Sequence, residues 1–306
     1  MTTALRIGTR GSPLAMTQAR MVKAALIAAH GLNEADIAIV PVKTTGDRVQ
    51  DRPLAEIGGK ALWTKELDRA LGDGTIDCAV HSMKDVETIR PADIVLAAYL
   101  PRADVRERLI GADSIEALPR GARIGTSSPR RAAQLLCLRP DLSVMTLRGN
   151  VARRLAAVES GDVDATLLAA AGLERLGHAD IGTAIPVERM LPAAQQGAIG
   201  IETLAENARV RKLLERIDDP ATRQCIEAER ALLDTLGADC HSPVAALARI
   251  DDGVITVTAE LLLHDGSERV GQSAGGTIDA RHDLAEELAR ALLDAACPAL
   301  RALFAG

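Results

Sequence analysis

Gly8-Thr9-Arg10-Gly11-Ser12-Pro13 and Gly125-Thr126-Ser127-Ser128-Pro129-Arg130 are one turn written twice, and the recurrence decides the fold. Each follows an apolar run that reads as a strand, places a hydroxyl at a helix N-cap, and puts proline at the first helical position, which is favourable helix-start chemistry. Outward from the first turn, residues 5–9 are predicted as a strand, 13–30 as a helix, 37–43 as a strand, 60–71 as a helix and 76–81 as a strand. The rhythm returns around the second turn, with strand 122–125, helix 129–138, strand 142–147, helix 151–160, strand 165–169 and a short helix near 172–176. Alternation of this kind predicts α/β architecture, and the repeated turn predicts two related α/β lobes.

The last part of the chain has a different pattern. After a helical stretch over 221–236 come apolar runs at 244–249, 254–263 and 269–273, separated by Asp251-Asp252-Gly253 and His264-Asp265-Gly266. Those separators are hairpin signals. With an amphipathic helix over 283–294, they predict a small α+β domain with a three-stranded antiparallel sheet.

The 306 residues allow two or three domains, with 47% hydrophobic and 25% charged residues, an ordinary globular balance. The apolar runs are too short and interrupted to span a bilayer, and the first residues carry no secretory or transit pattern, so a cytoplasmic protein without a membrane partner is expected. Cys78, Cys137, Cys225, Cys240 and Cys297 form no CxxC pair, which argues against a disulfide framework and a closed zinc site; no metal is expected. Trp63, Tyr99 and Phe304 are the only aromatics and the net charge is -6, so nucleic acid is not an expected partner.

Charge is unevenly distributed. Between Arg102 and Arg154 lie 11 arginines, no lysine and 5 acids, a local charge of +6 in an acidic protein. Arginine presents a planar fork of donors suited to carboxylate or phosphate. A helix N-terminus repels cations, so Arg130 and Arg131 in a first turn make sense if an anion occupies it; capping alone accounts equally well for either turn taken singly. Residues 77–86, Asp77-Cys78-Ala79-Val80-His81-Ser82-Met83-Lys84-Asp85-Val86, set the carboxyl end of a strand against four polar side chains, at the edge where open α/β sheets bind ligands. There Lys84 can pair with a carboxylate, and Asp85 can stabilise a cation or move a proton. The local sequence leaves open the plainer reading of solvated loop charges and a satisfied buried histidine. Cys240 lies in a loop, as a nucleophile or covalent anchor would; Cys240 and His241, adjacent on extended chain, point apart and do not make a dyad.

Taken in order, GTRGSPLA at 8–15, VHSMKD at 80–85, GTSSPRR at 125–131, LRGN at 147–150, AAGLERLG at 170–177 and LPAAQQGAIGIE at 191–202 resemble the porphobilinogen deaminase (hydroxymethylbilane synthase) family. The resemblance runs from about Arg6 to the Cys240 loop and rests on several motifs in one order. It implies two lobes like those of periplasmic binding proteins, with mixed, mainly parallel sheets, plus a small third domain. The expected division is 1–99 with about 197–217 as the lobe of the catalytic aspartate, 100–196 as the arginine-rich lobe, and 218–306 as the domain of the cofactor cysteine. The implied activity is a transferase of tetrapyrrole biosynthesis: four porphobilinogen molecules condense head to tail on a covalent dipyrromethane, ammonia leaves at each step, and hydrolysis releases hydroxymethylbilane. The resemblance makes Asp85 catalytic and Cys240 the thioether anchor. It carries binding roles to Arg10, Ser12, Lys60, Ser82, Lys84, Arg102, Thr126, Ser128, Arg130, Arg131, Arg148, Arg154, Arg175 and Gln196, and a monomer is expected. Each pyrrole brings an acetate and a propionate, so many carboxylates must be held at once. The chain departs from the family at Glu56, where many relatives have lysine, at Trp63, often phenylalanine, and at His241-Ser242, commonly Gln-Val.

Two other readings set the terms of the test. A non-catalytic anion-binding protein of the periplasmic type predicts a secretion signal and gives Cys240 no role. A cysteine-dependent acyl transferase or hydrolase predicts an oxyanion hole and a distant partner base.

Overall fold

The structure is a computed structural model that describes residues 5–42, 61–239 and 241–304, with 61–63 described in backbone only. In chain order its strands are β1 (Leu5–Arg10), β2 (Ile37–Val42), β3 (Cys78–Ser82), β4 (Ile94–Tyr99), β5 (Glu107–Ile110), β6 (Arg123–Gly125), β7 (Ser143–Met145), β8 (Ala165–Ala169), β9 (Thr183–Ile185), β10 (Ile199–Leu204), β11 (Val244–Asp251), β12 (Val254–Leu262) and β13 (Arg269–Thr277). The chain divides into two compact units, Met1–Ala103 with Gly197–Arg223, and Asp104–Gln196 with Gln224–Gly306.

The first unit holds a sheet of order β2-β1-β3-β10-β4, in which β1 pairs parallel to β2 and β3, while β10 runs antiparallel between β3 and β4. Helix Pro13–His30 forms where the first repeated turn predicts it. Ser12 caps it by accepting from Ala15 N–H at 3.3 Å, Pro13 opens it, and Gly31 at φ 65 closes it with an N–H bond to Ile27 O. Its buried Ala15, Gln18, Ala19, Val22 and Leu26 recur at helical spacing, and Ala19, Val22 and Leu26 pack with Leu5, Ile7, Cys78 and Val80. The other sheet face meets Leu67 and Leu71 of helix Ala61–Gly72, packed with Ile76 and Ala79. Gly8 is required where β1 passes Ile76, since a Cβ there would stand 2.2 Å from Ile76 Cδ1.

The second unit repeats that order. Its sheet β7-β6-β8-β5-β9 has β6 parallel to β7 and β8, with β5 antiparallel between β8 and β9. In each sheet four strands point one way, and the reversed one, β10 or β5, lies just past a crossing of the chain between units. The second unit also carries the antiparallel meander β11-β12-β13, whose first hairpin turns at Asp252 (φ 50) and Gly253 (φ 78), the double positive φ of a type I′ turn. Helix Arg281–Ala295 lays Ala285, Leu288, Ala289 and Leu292 on this sheet, and Leu232 of helix Pro220–Thr235 joins the same core. The α/β fold with a separate antiparallel sheet agrees with the sequence reading. Strands β4, β5, β9 and β10 and helix Ala208–Leu214 are additions to it. Two of these, β5 and β10, place fully buried glutamates, Glu107 and Glu202, within strands, which breaks the apolar pattern used to find them. Among the described residues no helix is long and apolar enough to cross a membrane.

Candidate active site

Strand alternation decides which face each residue of the 80–85 segment serves. Val80 and Ser82 turn towards helix Pro13–His30, where Gln18 Nε2 donates to Ser82 Oγ at 2.7 Å. His81 turns the opposite way and sets its Nε2 3.0 Å from Glu202 Oε2. Past Ser82 the chain leaves the sheet in one 3-10 turn, Met83–Asp85, closed by Val86 N–H to Met83 O and anchored by the fully buried Met83. That turn brings Asp85 to a cavity walled also by Arg10, Ser12, Gln18, His81 and Ser82. Lys84, half-buried, lies in the same turn. The strand end and the helix cap of the first repeated turn therefore meet the carboxylate of the 80–85 segment within one unit.

Behind the cavity lies a buried ionic cluster. Glu202 accepts from Arg90 Nε at 2.8 Å and Nη2 at 3.0 Å, and Arg90 also reaches Glu87 at 2.7 Å and Asp68 at 2.5 Å. Burial pushes the Glu202 carboxyl up, but the charges and hydrogen bonds of His81 and Arg90 outweigh it and hold the group well below the usual carboxylate range. At Asp68 burial wins over Arg90, and the carboxyl is raised. His81 is thus a buried histidine set against Glu202, with one edge at the cavity.

In the second unit the repeated turn caps helix Pro129–Leu138: Ser128 Oγ accepts from Arg131 N–H at 3.4 Å, and Ser128 N–H donates to Thr126 Oγ1 at 3.1 Å. The first-turn arginines both reach an anion of the protein's own, Glu107. Arg130 Nη2 lies 2.6 Å from Glu107 Oε1, and Arg131 reaches both Glu107 oxygens, at 3.1 Å from Nε and 2.7 Å from Nη2. Arg130 also donates to Gln134 and to Leu191 O, and Arg131 to Leu167 O.

Arg148 and Arg154 are placed differently. Arg154, on helix Val151–Glu159, donates to Gly149 O at 3.1 Å and to Ser127 Oγ at 3.4 Å, yet its Nη1 and that of Arg148 are buried with no hydrogen-bond partner among the described residues. Burial, then the charges of Arg131 and Arg148, pull Arg154 down to about 10, and burial brings Arg175, at the end of helix Ala170–Arg175, to about 10. Desolvated guanidinium groups of this kind are donors suited to a polycarboxylate, which is what linked pyrroles carrying acetate and propionate present.

The remaining sequence-derived residues are dispersed. Arg102 N–H donates to Thr222 Oγ1 in the first unit, and the fully buried Gln196 gives its Nε2 to Val105 O in the second. Lys60, Glu56, Cys240 and the Trp63 side chain lie outside the described residues. On either side of Cys240, Asp239 Oδ1 accepts from His241 N–H at 2.7 Å and Ser242 N–H at 3.1 Å, folding the loop into an Asx turn. Gln18, Arg90, Glu107, Glu202 and Glu260 carry no role in the sequence-derived site, although Glu202 ends the 191–202 motif. The signal for the glutamates was a lone acid inside an apolar run, which demands a distant cation.

Two sheets of one order, with a carboxylate cavity in one unit and desolvated arginines beside a helix N-terminus in the other, define a two-unit α/β protein. Two family models cover almost all of the chain: "Porphobilinogen deaminase, dipyromethane cofactor binding domain" over residues 5–212, and "Porphobilinogen deaminase, C-terminal domain" over residues 223–294. The chain belongs to the porphobilinogen deaminase family. It is 58% identical to a porphobilinogen deaminase of Sphingopyxis alaskensis across 98% of this chain and 96% of that one, and 48% identical to one of Paracoccus denitrificans across 93% of each. Among solved structures, a TRAP periplasmic solute binding protein from Desulfovibrio salexigens is similar at TM-score 0.41 and 11% identity, covering 70% of this chain and 72% of that one.

Proposed function

We infer that this chain is a transferase that condenses four porphobilinogen molecules head to tail, releases ammonia at each step, and yields hydroxymethylbilane by final hydrolysis. The observation that carries the reading is Asp85, the carboxylate of the family's motif, opening into a cavity with Arg10 and Ser12 on its wall. Family membership favours this enzyme over a non-catalytic anion-binding protein. A dipyrromethane cofactor, when bound, supplies the free ring carbon to which the first porphobilinogen unit is joined. The thiol of Cys240 is the proposed thioether anchor.

The chain's own groups divide the work. Asp85 stabilises the positive charge that develops on the pyrrole nitrogen of porphobilinogen as ammonia leaves, an electrostatic task suited to a carboxylate held at a cavity wall. Arg10, Ser12, Ser82, Lys84 and Lys60 are proposed to hold substrate carboxylates in the first unit. In the second, Arg148, Arg154 and Arg175 hold the acetates and propionates of the growing chain, with Thr126 and Ser128 at the helix start; each charge-assisted bond contributes about 1.5–3 kcal/mol. Arg130 and Arg131 support that site from Glu107, while Arg102 and Gln196 serve where the chain crosses between units. The proposal includes a division at 1–99 with about 197–217, 100–196 and 218–306, a monomer, and a cytoplasmic location.

Intact-mass measurement of the protein from a host able to make porphobilinogen tests the reading. The expected result is added mass equal to two linked pyrrole units, lost in Cys240→Ser. A bare polypeptide that also fails to consume porphobilinogen would overturn it.

A further inference from the structure

Beyond the first-turn arginines, the polar chain continues inwards. Gln134, 3% exposed, accepts from Arg130 Nη1 at 2.8 Å and donates from Nε2 to Glu260 Oε1 at 2.5 Å. Glu260 is 1% exposed and sits on β12, the central strand of the antiparallel sheet, and its other oxygen lies 2.5 Å from Arg269 Nη2 on β13. The sheet is seated on the same helix at its turn: a Cβ on Gly266 would stand 2.4 Å from Cys137 N.

Charge explains why a second carboxylate is needed. Glu107 is shared by two buried guanidinium groups, so that trio alone carries a net positive charge in a dry interior. Burial acts to strip the proton from Arg130, and Glu107 and Glu260 both act to keep it. With Glu260, the two buried arginines face two buried glutamates, while Arg269 at the outer oxygen of Glu260 keeps its charge partly in solvent, 40% exposed, and Arg130 need not draw Glu107 away from Arg131. Arg131 in turn shapes the field around Arg154.

We propose that Glu260 is a positioning residue of the anion site: through Gln134 it secures Arg130, which leaves Glu107 free to fix Arg131 beside Arg148 and Arg154. The sheet that follows the Cys240 loop thereby sets the geometry of the helix that receives the substrate's carboxylates. This inference rests on the function proposed above.

The test is a double-mutant cycle in the full chain. Glu260→Gln keeps the shape and removes the charge; it is expected to raise KM for porphobilinogen about tenfold with kcat within about threefold, and to lower the fraction of protein carrying the pyrrole mass. In an Arg131→Lys background the same substitution is expected to change KM by less than about twofold, because its effect travels through the Arg131 fork. Full additivity of the two changes, or an unchanged KM and pyrrole-mass fraction in folded Glu260→Gln, overturns the proposal. If Glu260→Gln does not fold, Glu260→Asp, which keeps the charge but draws it back from Gln134, is put through the same cycle with the same criteria. Wild-type protein that neither carries pyrrole mass nor turns over porphobilinogen would instead refute the function itself.

Discussion

Arg90→Gln removes the cation on which three carboxylates converge. Arg90 gives Glu202 two hydrogen bonds, reaches Glu87 and Asp68, and its own side chain is 7% exposed. Taking one partner from a buried ion pair leaves an uncompensated charge and costs about 3–5 kcal/mol. The pH dependence follows from Glu202. Its folded pKa lies below the ordinary 4.5, so its contribution is complete above that pH and is lost as pH falls through the lowered value. Without Arg90 its hydrogen bonds and charge no longer hold the Glu202 carboxyl down, which leaves His81 alone against burial, so the pKa rises, and Asp68, raised even in the wild type, moves the same way. The penalty of the variant is then greatest at neutral pH and shrinks on acidification, as both carboxyls take up protons in the folded protein. Urea unfolding followed by far-UV circular dichroism should show a loss of about 3–5 kcal/mol at pH 7 and a loss smaller by about 1 kcal/mol or more at pH 5. A loss below about 1 kcal/mol at pH 7, or equal losses at both pH values, would refute this account of the cluster.

Asp85→Asn should abolish porphobilinogen turnover while leaving the melting temperature and the pyrrole mass unchanged; near-normal kcat would remove Asp85 from the chemistry. Arg154→Met should raise KM by about tenfold or more, since a substrate carboxylate loses a charged donor. In a Cys240→Ser background the same change should leave the melting temperature equal or higher. Arg154 carries a desolvated charge at neutral pH, a cost relieved only as pH rises through about 10, and methionine removes it; a fall of several degrees would contradict the reading. Gly125→Ala would set a Cβ 2.6 Å from Leu147 Cδ2 and should cost about 1–3 kcal/mol, whereas Gly11→Ala, with nothing within 4 Å, should unfold like wild type. Equal unfolding midpoints for the two would show that the strand end tolerates a side chain.

The parts of the fold legible in the sequence are those specified locally. Ser12-Pro13 and Ser128-Pro129 announce two helices because capping is settled within four residues, and both helices start there. Asp252-Gly253 announces its hairpin because a double positive φ is a property of the dipeptide. Asp85 stood out because its motif ends a strand at the sheet edge where ligands bind, and the cavity is there. The arginines were legible as a charge excess but not in their division of labour, since Arg130 and Arg131 look no different from Arg148 and Arg154 until Glu107 arrives from another strand.

The sequence by itself determined the α/β alternation, the repeated turn, the antiparallel tail and the family to which the chain belongs. Each of these depends on near neighbours, or on motifs whose order along the chain is the signal. Only the tertiary structure decided the reversed strands β5 and β10, the pairing of Glu202 with His81 and Arg90, and the link from Glu260 through Gln134 to the first-turn arginines. The physical reason is desolvation. A buried carboxylate is tolerated in a strand only when cations from remote segments surround it, and no local rule of pattern or propensity says which remote segments those will be.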